Sequence, residues 1–333
     1  MIKLTDTSIV YLVCPSARAS GGPELMHQLA HHLAQKGIDA RMYYVPQTKN
    51  PVHPNFVKYG TKYATEIDDN ENNLIIFPEG LVTVYFELHR IRKCIWWLSV
   101  DNFYPTFLKS QFTFLPYNII FRLLKFGAVQ KYCLNKALKQ RFAYHLVQSL
   151  YAKDHLNKAG IDSLYLSDYI NNVFITDAES VDVSKKENIV AYNPLKGYAF
   201  TKEIITRSPQ LRWVAIQNMT PEQVKDLLPR AKVYIDFGDH PGKDRIPREA
   251  ALMQCCVITG QKGSAAFEDV NISPAYKFQD KVENIPAIIS TIESMMNDYD
   301  SHISKYAAYR KEILESEDKF SKDIDRVFEL TET

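Results

Sequence analysis

The chain reads as an α/β protein of two Rossmann-like, doubly wound domains facing a cleft, with helices at its C-terminal end. Three observations predict this. Its 333 residues, 46% of them hydrophobic, are more than one core usually holds. Short continuous apolar runs alternate with amphipathic helical stretches, as strands buried on both faces of a parallel sheet require. The alternation also occurs twice, around a polar crossover, "LYLSDYINNVFITDAESVDVSKKEN", rich in Asp, Asn and Ser beyond Ser167. The expected domains are 1–168 and 169–300, with 301–333 as helices packing back on the first.

Each element follows in order. "SIVYLVC" is an apolar strand, then Leu25, Leu29 and Leu33 fall at helical spacing, and a second strand runs near Ala40 to Val45. In this βαβ unit Gly21 and Gly22 are expected in the turn, Pro23 at the first helical position and Gly37 at the helix end. "NNLIIFPEG" and "KCIWWLSVDN" add two more buried strands. The second half repeats the grammar: "ENIVAYNP" a strand, "KGYAFTKEIITRSP" a helix, "LRWVAIQN" a strand, and "MTPEQVKDLL" a helix opened by a capping box of Thr220 and Gln223. "KVYIDFG", the helix "PREAALMQ" and "CCVITG" complete it. Beyond Lys281 the chain is expected to be helical to its end, with Ile285, Ile288, Ile289 and Ile292 on one side.

Composition excludes several classes of function. Forty basic against thirty-nine acidic side chains give a formal net charge of +1, so no global field attracts nucleic acid. Cys14, Cys94, Cys133, Cys255 and Cys256 are scattered, odd in number and without CxxC spacing, as reduced core thiols would be. The N-terminal apolar run is too short for a signal peptide, and no run approaches the ~20 residues of a spanning helix. The expected location is cytoplasmic. Neither half carries GxGxxG after its first strand, which disfavours a dinucleotide-dependent dehydrogenase.

The informative stretch is "VYIDFGDHPGKDRIPREAALMQCCVITG". Its loop carries Asp239, His240, Lys243, Asp244, Arg245 and Glu249 between two buried elements, at the carboxyl end of a strand where doubly wound sheets bind ligands. Glu249 either complements its helix's positive end or accepts ligand hydroxyls, while Lys243, Arg245 and helix amides face a phosphate. "REAALMQCCVITG" resembles the second half of the two-glutamate signature of the retaining GT-B glycosyltransferases, the family 4 type, with Glu249 matching the glutamate that holds the nucleotide ribose. The first glutamate's position is Pro241, which leaves His240, Asp239 or Asp244 to handle the donor sugar.

The resemblance extends further. "AYNPLKG" is similar to the segment that supplies a phosphate-binding lysine, here Lys196, with Asn193 where that family has an arginine. "GQKGSAAFED" resembles the loop that places Gly263 and Ser264 near the donor sugar, and "GGPELMHQLAHHLAQKG" the glycine-rich loop whose Gly21 and Gly22 approach the substrate on the acceptor side. The resemblance implies a GT-B fold, a nucleotide-sugar donor, and transfer to a glycan or lipid-linked glycan hydroxyl in surface polysaccharide or lipopolysaccharide assembly. It implies no cofactor. Asp68 and Asp69 of "IDDNEN" read as an exposed turn rather than a metal pair, so no metal is expected. A two-domain sugar-binding protein without catalysis and a GT-B nucleotide-sugar epimerase are the alternatives.

On the acceptor side, Asp101 and Asn102 follow "IWWLS". Asp101 either orients and deprotonates the acceptor hydroxyl or, with Asn102, ends the strand. Trp96 and Trp97 point to opposite faces and read as packing. His27 and His31, four apart on a helix, have no third ligand in view and read as a polar helix flank. From Asn102 through Lys153 there is no Asp or Glu, while Lys109, Arg122, Lys125, Lys131, Lys136, Lys139, Arg141 and Lys153 alternate with aromatics such as Phe103, Tyr104 and Phe107. Residues 103–153 suit either a peripheral surface against anionic lipid or a basic helical pair packed on the first sheet.

Overall fold

The computed structural model describes residues 1–84, 87–111 and 141–331. The chain forms two compact units, Met1–Asp168 with Asp318–Thr333, and Tyr169–Glu317.

The first unit runs β1 (Ile2–Thr5), β2 (Ile9–Pro15), α1 (Gly21–Gln35), β3 (Asp39–Val45), β4 (Lys62–Ala64), β5 (Leu74–Pro78), β6 (Arg92–Trp97), α2 (Val100–Gln111), β7 (Tyr144–Val147), α3 (Leu150–Lys158) and β8 (Leu164–Tyr165). Its sheet has the order β4-β3-β2-β5-β6-β7-β8, with every pairing parallel. The apolar runs account for this. Val10, Leu12 and Val13 of β2, Leu74, Ile75 and Ile76 of β5, and Cys94, Ile95, Trp96 and Trp97 of β6 are all fully buried, and both sheet faces need that cover. Each such aliphatic side chain contributes about 1.5–3 kcal/mol on burial.

The second unit runs α4 (Asn172–Ala178), β9 (Glu187–Tyr192), α5 (Tyr198–Arg207), β10 (Arg212–Ala215), α6 (Pro221–Leu227), β11 (Ala231–Asp236), α7 (Arg245–Leu252), β12 (Cys256–Thr259), α8 (Ile285–Asn297), α9 (Tyr299–Ser304) and α10 (Ala307–Leu314). Its sheet is parallel, in the order β10-β9-β11-β12. Thr220 and Gln223 form the expected capping box on α6. Ile285, Ile288 and Ile292 of α8 enter the core beside Val233, Ile235 and Ile258.

The chain's end runs through α11 (Ser316–Val327) and β13 (Phe328–Thr331). Residues 301–317 group with the second unit and 318–333 with the first. Phe320 stacks on Trp96, and Asp323, fully buried, accepts the Ser167 N–H at 3.0 Å.

Four expectations are corrected. The chain does not stay helical to its end: β13 pairs in parallel with β1, giving that short N-terminal strand a partner. Gly21 and Gly22 lie in the first turn of α1 rather than before it. The strand carrying Trp96 and Trp97 stops at Trp97, so Asp101 and Asn102 sit in the first turn of α2. His27 is no polar flank: it is buried against Phe56, with its ring nitrogens 2.7 Å from the Pro23 carbonyl and 2.9 Å from the Tyr44 hydroxyl. The four described cysteines, Cys14, Cys94, Cys255 and Cys256, are buried and free.

Most of the 103–153 stretch lies outside the described residues. Phe103, Tyr104 and Phe107 are buried in the first unit's core, so these three are unavailable to a surface. Among the described residues no helix is long and apolar enough to cross a membrane.

Candidate functional site

In the second unit β9 lies between β10 and β11, so the connections leaving β9 and β11 diverge and leave a crevice at their carboxyl ends. Two loops meet there, 193–197 after β9 and 237–244 after β11. Gly197 has φ +62°, and a Cβ on it would lie 2.0 Å from the Phe237 carbonyl oxygen, so only glycine lets the backbones come this close. Asn193 Oδ1 accepts the Leu195 N–H at 3.0 Å and shapes the first loop.

The third segment, after β12, clamps the charged loop from its other side. Ser264 donates its N–H to the His240 carbonyl at 2.8 Å and its hydroxyl to the Gly242 carbonyl at 2.7 Å. Gly263 and Ser264 thus touch the loop's backbone. Arg248 of α7, nearly buried, donates to the Lys243 carbonyl at 3.0 Å and the Asp244 carbonyl at 3.3 Å. Lys243, Arg245 and Glu249 are half-buried beside them.

Inside this clamp lies a chain of charges. Tyr234 donates its hydroxyl to Asp236 at 2.8 Å, and Gly238 donates its N–H to the same carboxylate at 2.9 Å. His240, fully enclosed and at φ +44°, has Nε2 3.4 Å from Asp236 and Nδ1 3.1 Å from Asp244. These are ion-pair contacts rather than well-aligned hydrogen bonds. Lys196 Nζ then lies 2.8 and 2.9 Å from the two oxygens of Asp244.

Burial would push the His240 imidazole down, but the two carboxylates outweigh it and raise its pKa from 6.5 to about 10. Burial would likewise raise Asp244, yet His240 and Lys196 hold it below its ordinary value. Two carboxylates, one imidazolium and one ammonium make the cluster neutral, which is how buried charge is tolerated. Asp236, His240 and Asp244 also bring three ligand-type atoms within 4.8 Å of one another. Tyr234 and Gly238 engage Asp236 and Lys196 engages Asp244, so with His240 protonated the three residues form an ion network, and with it neutral they are the residues that could hold a cation.

The first unit has an equivalent crevice, because β2 has β3 on one side and β5 on the other. The ends of these strands lead to 16–22, carrying Gly21 and Gly22, and to Glu79. The Glu79 carboxylate is buried and accepts the Leu98 N–H at 2.9 Å. Burial raises its pKa from 4.5 to about 7, against the pull of backbone N–H donors from Leu98, Glu79 itself and Ser99. It thereby ties β5's end to the turn that starts α2. On that turn Asp101 Oδ1 accepts the Tyr151 hydroxyl at 2.9 Å, and Asn102 Nδ2 donates to Ser99 Oγ at 2.7 Å. Asp69 is an anchor, accepting the N–H groups of His89, Arg90 and Ile91.

Lys196, Asn193, His240, Lys243, Arg245, Glu249, Gly263 and Ser264, expected together from the sequence, lie on the 237–244 loop, on the helix that follows it or on the segments that meet it. Gly21, Gly22, Asp101 and Asn102 belong to the other unit. Asp236, Arg248 and Glu79, which make contacts at these strand ends, were not singled out from the sequence. Asp236 and Glu79 carried a usable signal, a charged residue closing an otherwise apolar strand run.

No protein-family model matches the chain, and no curated protein sequence matches it. Solved structures do. A glycosyltransferase of Rickettsia africae superposes with a TM-score of 0.61 at 15% identity, covering 96% of this chain and 97% of its own. Anabaena Alr3699/HepE, solved in complex with UDP-glucose, gives 0.60 at 10% identity, with 96% and 98% covered. Sucrose-phosphate synthase of Thermosynechococcus elongatus gives 0.60 at 12% identity, again with 96% and 98%. Together with the two parallel sheets, these likenesses establish the class: the fold is GT-B, two Rossmann-like domains, as expected from the sequence.

Proposed function

We propose that the chain is a glycosyltransferase that moves a sugar from a nucleotide-sugar donor to a glycan or lipid-linked glycan hydroxyl, with retention at the anomeric carbon, in surface-polysaccharide assembly. The carrying observation is the glycine-clamped, cation-bearing loop at the strand ends of the second unit, where Lys196 and His240 converge on Asp244. As the glycosidic bond to the donor breaks, charge builds on the leaving diphosphate. Lys196, Lys243 and Arg245 stabilise that charge without transferring a proton. Glu249 accepts the ribose hydroxyls, and Asp101 of the first unit orients the acceptor hydroxyl. His240, enclosed between carboxylates, positions Asp244 rather than touching sugar. The fold shared with a protein solved with UDP-glucose supports the donor class.

Calorimetric titration of UDP, GDP and ADP tests the reading. One of them is expected to bind, and Glu249→Ala to weaken it about tenfold or more. Equal affinity of the variant removes the ribose role from Glu249. Binding of free sugar without any nucleoside diphosphate makes the chain a sugar-binding protein. Peripheral attachment through 103–153 is tested by flotation with anionic and neutral vesicles, and absence from both removes it.

A further inference from the structure

The charged loop contains a contradiction that the donor reading leaves open: the lysine assigned to phosphate is already held by an anion. Asp244 occupies the N-cap position of α7, where an aspartate ordinarily accepts an N–H from its own helix's first turn. Here it makes no such bond. Its carboxylate turns away to take Lys196 through both oxygens, at 2.8 and 2.9 Å, and His240 at 3.1 Å. An ammonium has three N–H donors, so two of Lys196's are committed.

We propose that Asp244 competes with the donor's diphosphate for Lys196: the carboxylate is an internal counter-anion, and a diphosphate binding at this loop must take the ammonium over. The inference rests on the donor reading above. Three features argue for exchange rather than for a shared three-way contact. Phosphate oxygens within reach of Lys196 Nζ would stand close to a carboxylate that is itself negative, and like charges in a partly buried site repel strongly. The Lys196 and Asp244 side chains are 39% and 20% exposed, so an anion can reach the ammonium from solvent. Asp244 also keeps its imidazolium partner, because His240 is fully enclosed; losing Lys196 therefore does not strand an unpaired buried charge. The Asp236–His240 pair acts as the fixed side of the exchange, and Lys196 as the movable side.

Isothermal titration with UDP, GDP, ADP and inorganic pyrophosphate on the full chain and on Asp244→Asn separates the possibilities. If Asp244 competes, the isosteric variant binds the preferred diphosphate about tenfold more tightly than wild type, the size of a modest charge–charge effect. It should do so while melting at a lower temperature, since the neutral amide no longer balances two cations. Wild type binding a diphosphate while a folded Asp244→Asn binds it no better, or more weakly, overturns the exchange and makes Asp244 a positioning residue; the donor reading survives. Binding by neither protein overturns both. Should Asp244→Asn not fold, a crystal structure of wild type with UDP decides. Lys196 Nζ is then expected to have left both Asp244 oxygens for a phosphate oxygen, and an intact Lys196–Asp244 pair beside bound UDP overturns the exchange.

Discussion

A Cβ added to Gly263 would lie 2.0 Å from the carbonyl oxygen of His240, and Gly263 itself has φ +52°. Both facts forbid a side chain, one by contact with rigid backbone and one by conformation. The same His240 carbonyl accepts the Ser264 N–H, so the contact cannot open without losing a hydrogen bond. Gly263→Ala is expected to lower unfolding free energy by roughly 2–4 kcal/mol, from left-handed strain plus overpacking. Urea denaturation measures this, and a midpoint equal to wild type would show that the loop is not clamped.

The His240 ion network makes stability depend on alkaline pH. The folded imidazole titrates near 10 and the unfolded one near 6.5, so the folded state holds a proton that the unfolded state has lost between these values. The stabilisation is full below pH 6.5 and disappears as pH rises through 10, a loss on the order of a few kcal/mol at about 1.4 kcal/mol per unit. Unfolding free energies at pH 6, 8 and 10 should fall steadily in wild type. His240→Ala, which leaves two carboxylates facing each other, should lose about 3–5 kcal/mol at pH 6 and show a flatter profile. A wild-type profile already flat from pH 6 to 10 would mean that His240 is neutral in the fold.

Much of the architecture was legible because buried parallel strands have nearly continuous apolar sequences. Val10 to Cys14, Leu74 to Phe77 and Val233 to Ile235 could hardly be anything else. The short terminal strand was not, because "FELT" has only four residues and acquires its character by pairing with β1 across the whole chain length. The charged loop was legible as a candidate site because charge between two apolar elements has few uses. What lay hidden was its internal pairing. Nothing in the spacing of Lys196 and Asp244, 48 residues apart, says that their side chains meet; the pairing of β9 with β11 and the close contacts of Gly197 with Phe237 and of Gly238 with Lys196 bring their loops together. His27 misled for the opposite reason. A histidine on an amphipathic helix resembles a surface residue until Tyr44 and the Pro23 carbonyl supply both of its ring partners.

Glu79 gives a second pH signature, of acidic origin and in the other unit. Its carboxyl is held near pH 7 in the fold against 4.5 when unfolded, because burial penalises the charged form more than the Leu98 and Ser99 N–H groups favour it. The folded state therefore keeps a proton between pH 4.5 and 7 that the unfolded chain releases. Stability from this group is full below 4.5 and is lost as pH rises through 7, on the order of 3 kcal/mol in total. Glu79→Gln keeps an oxygen acceptor for the Leu98 N–H and has no proton to lose. Relative to wild type the variant should gain stability as pH climbs from 5 to 8, with the unfolding free energies of the two proteins approaching or crossing near neutrality. His240 contributes little slope below pH 6.5, whereas the buried His32 and His145, held near 4 in the fold, add a slope of the opposite sign that both proteins share, so the difference between Glu79→Gln and wild type at pH 5 and 6 is what reports Glu79. A constant difference between Glu79→Gln and wild type over pH 5 to 8 would show that the carboxyl titrates alike in the folded and unfolded chains. The anchoring of the Asp101 turn would then depend on the hydrogen bond to Leu98 alone and not on the protonation state of Glu79.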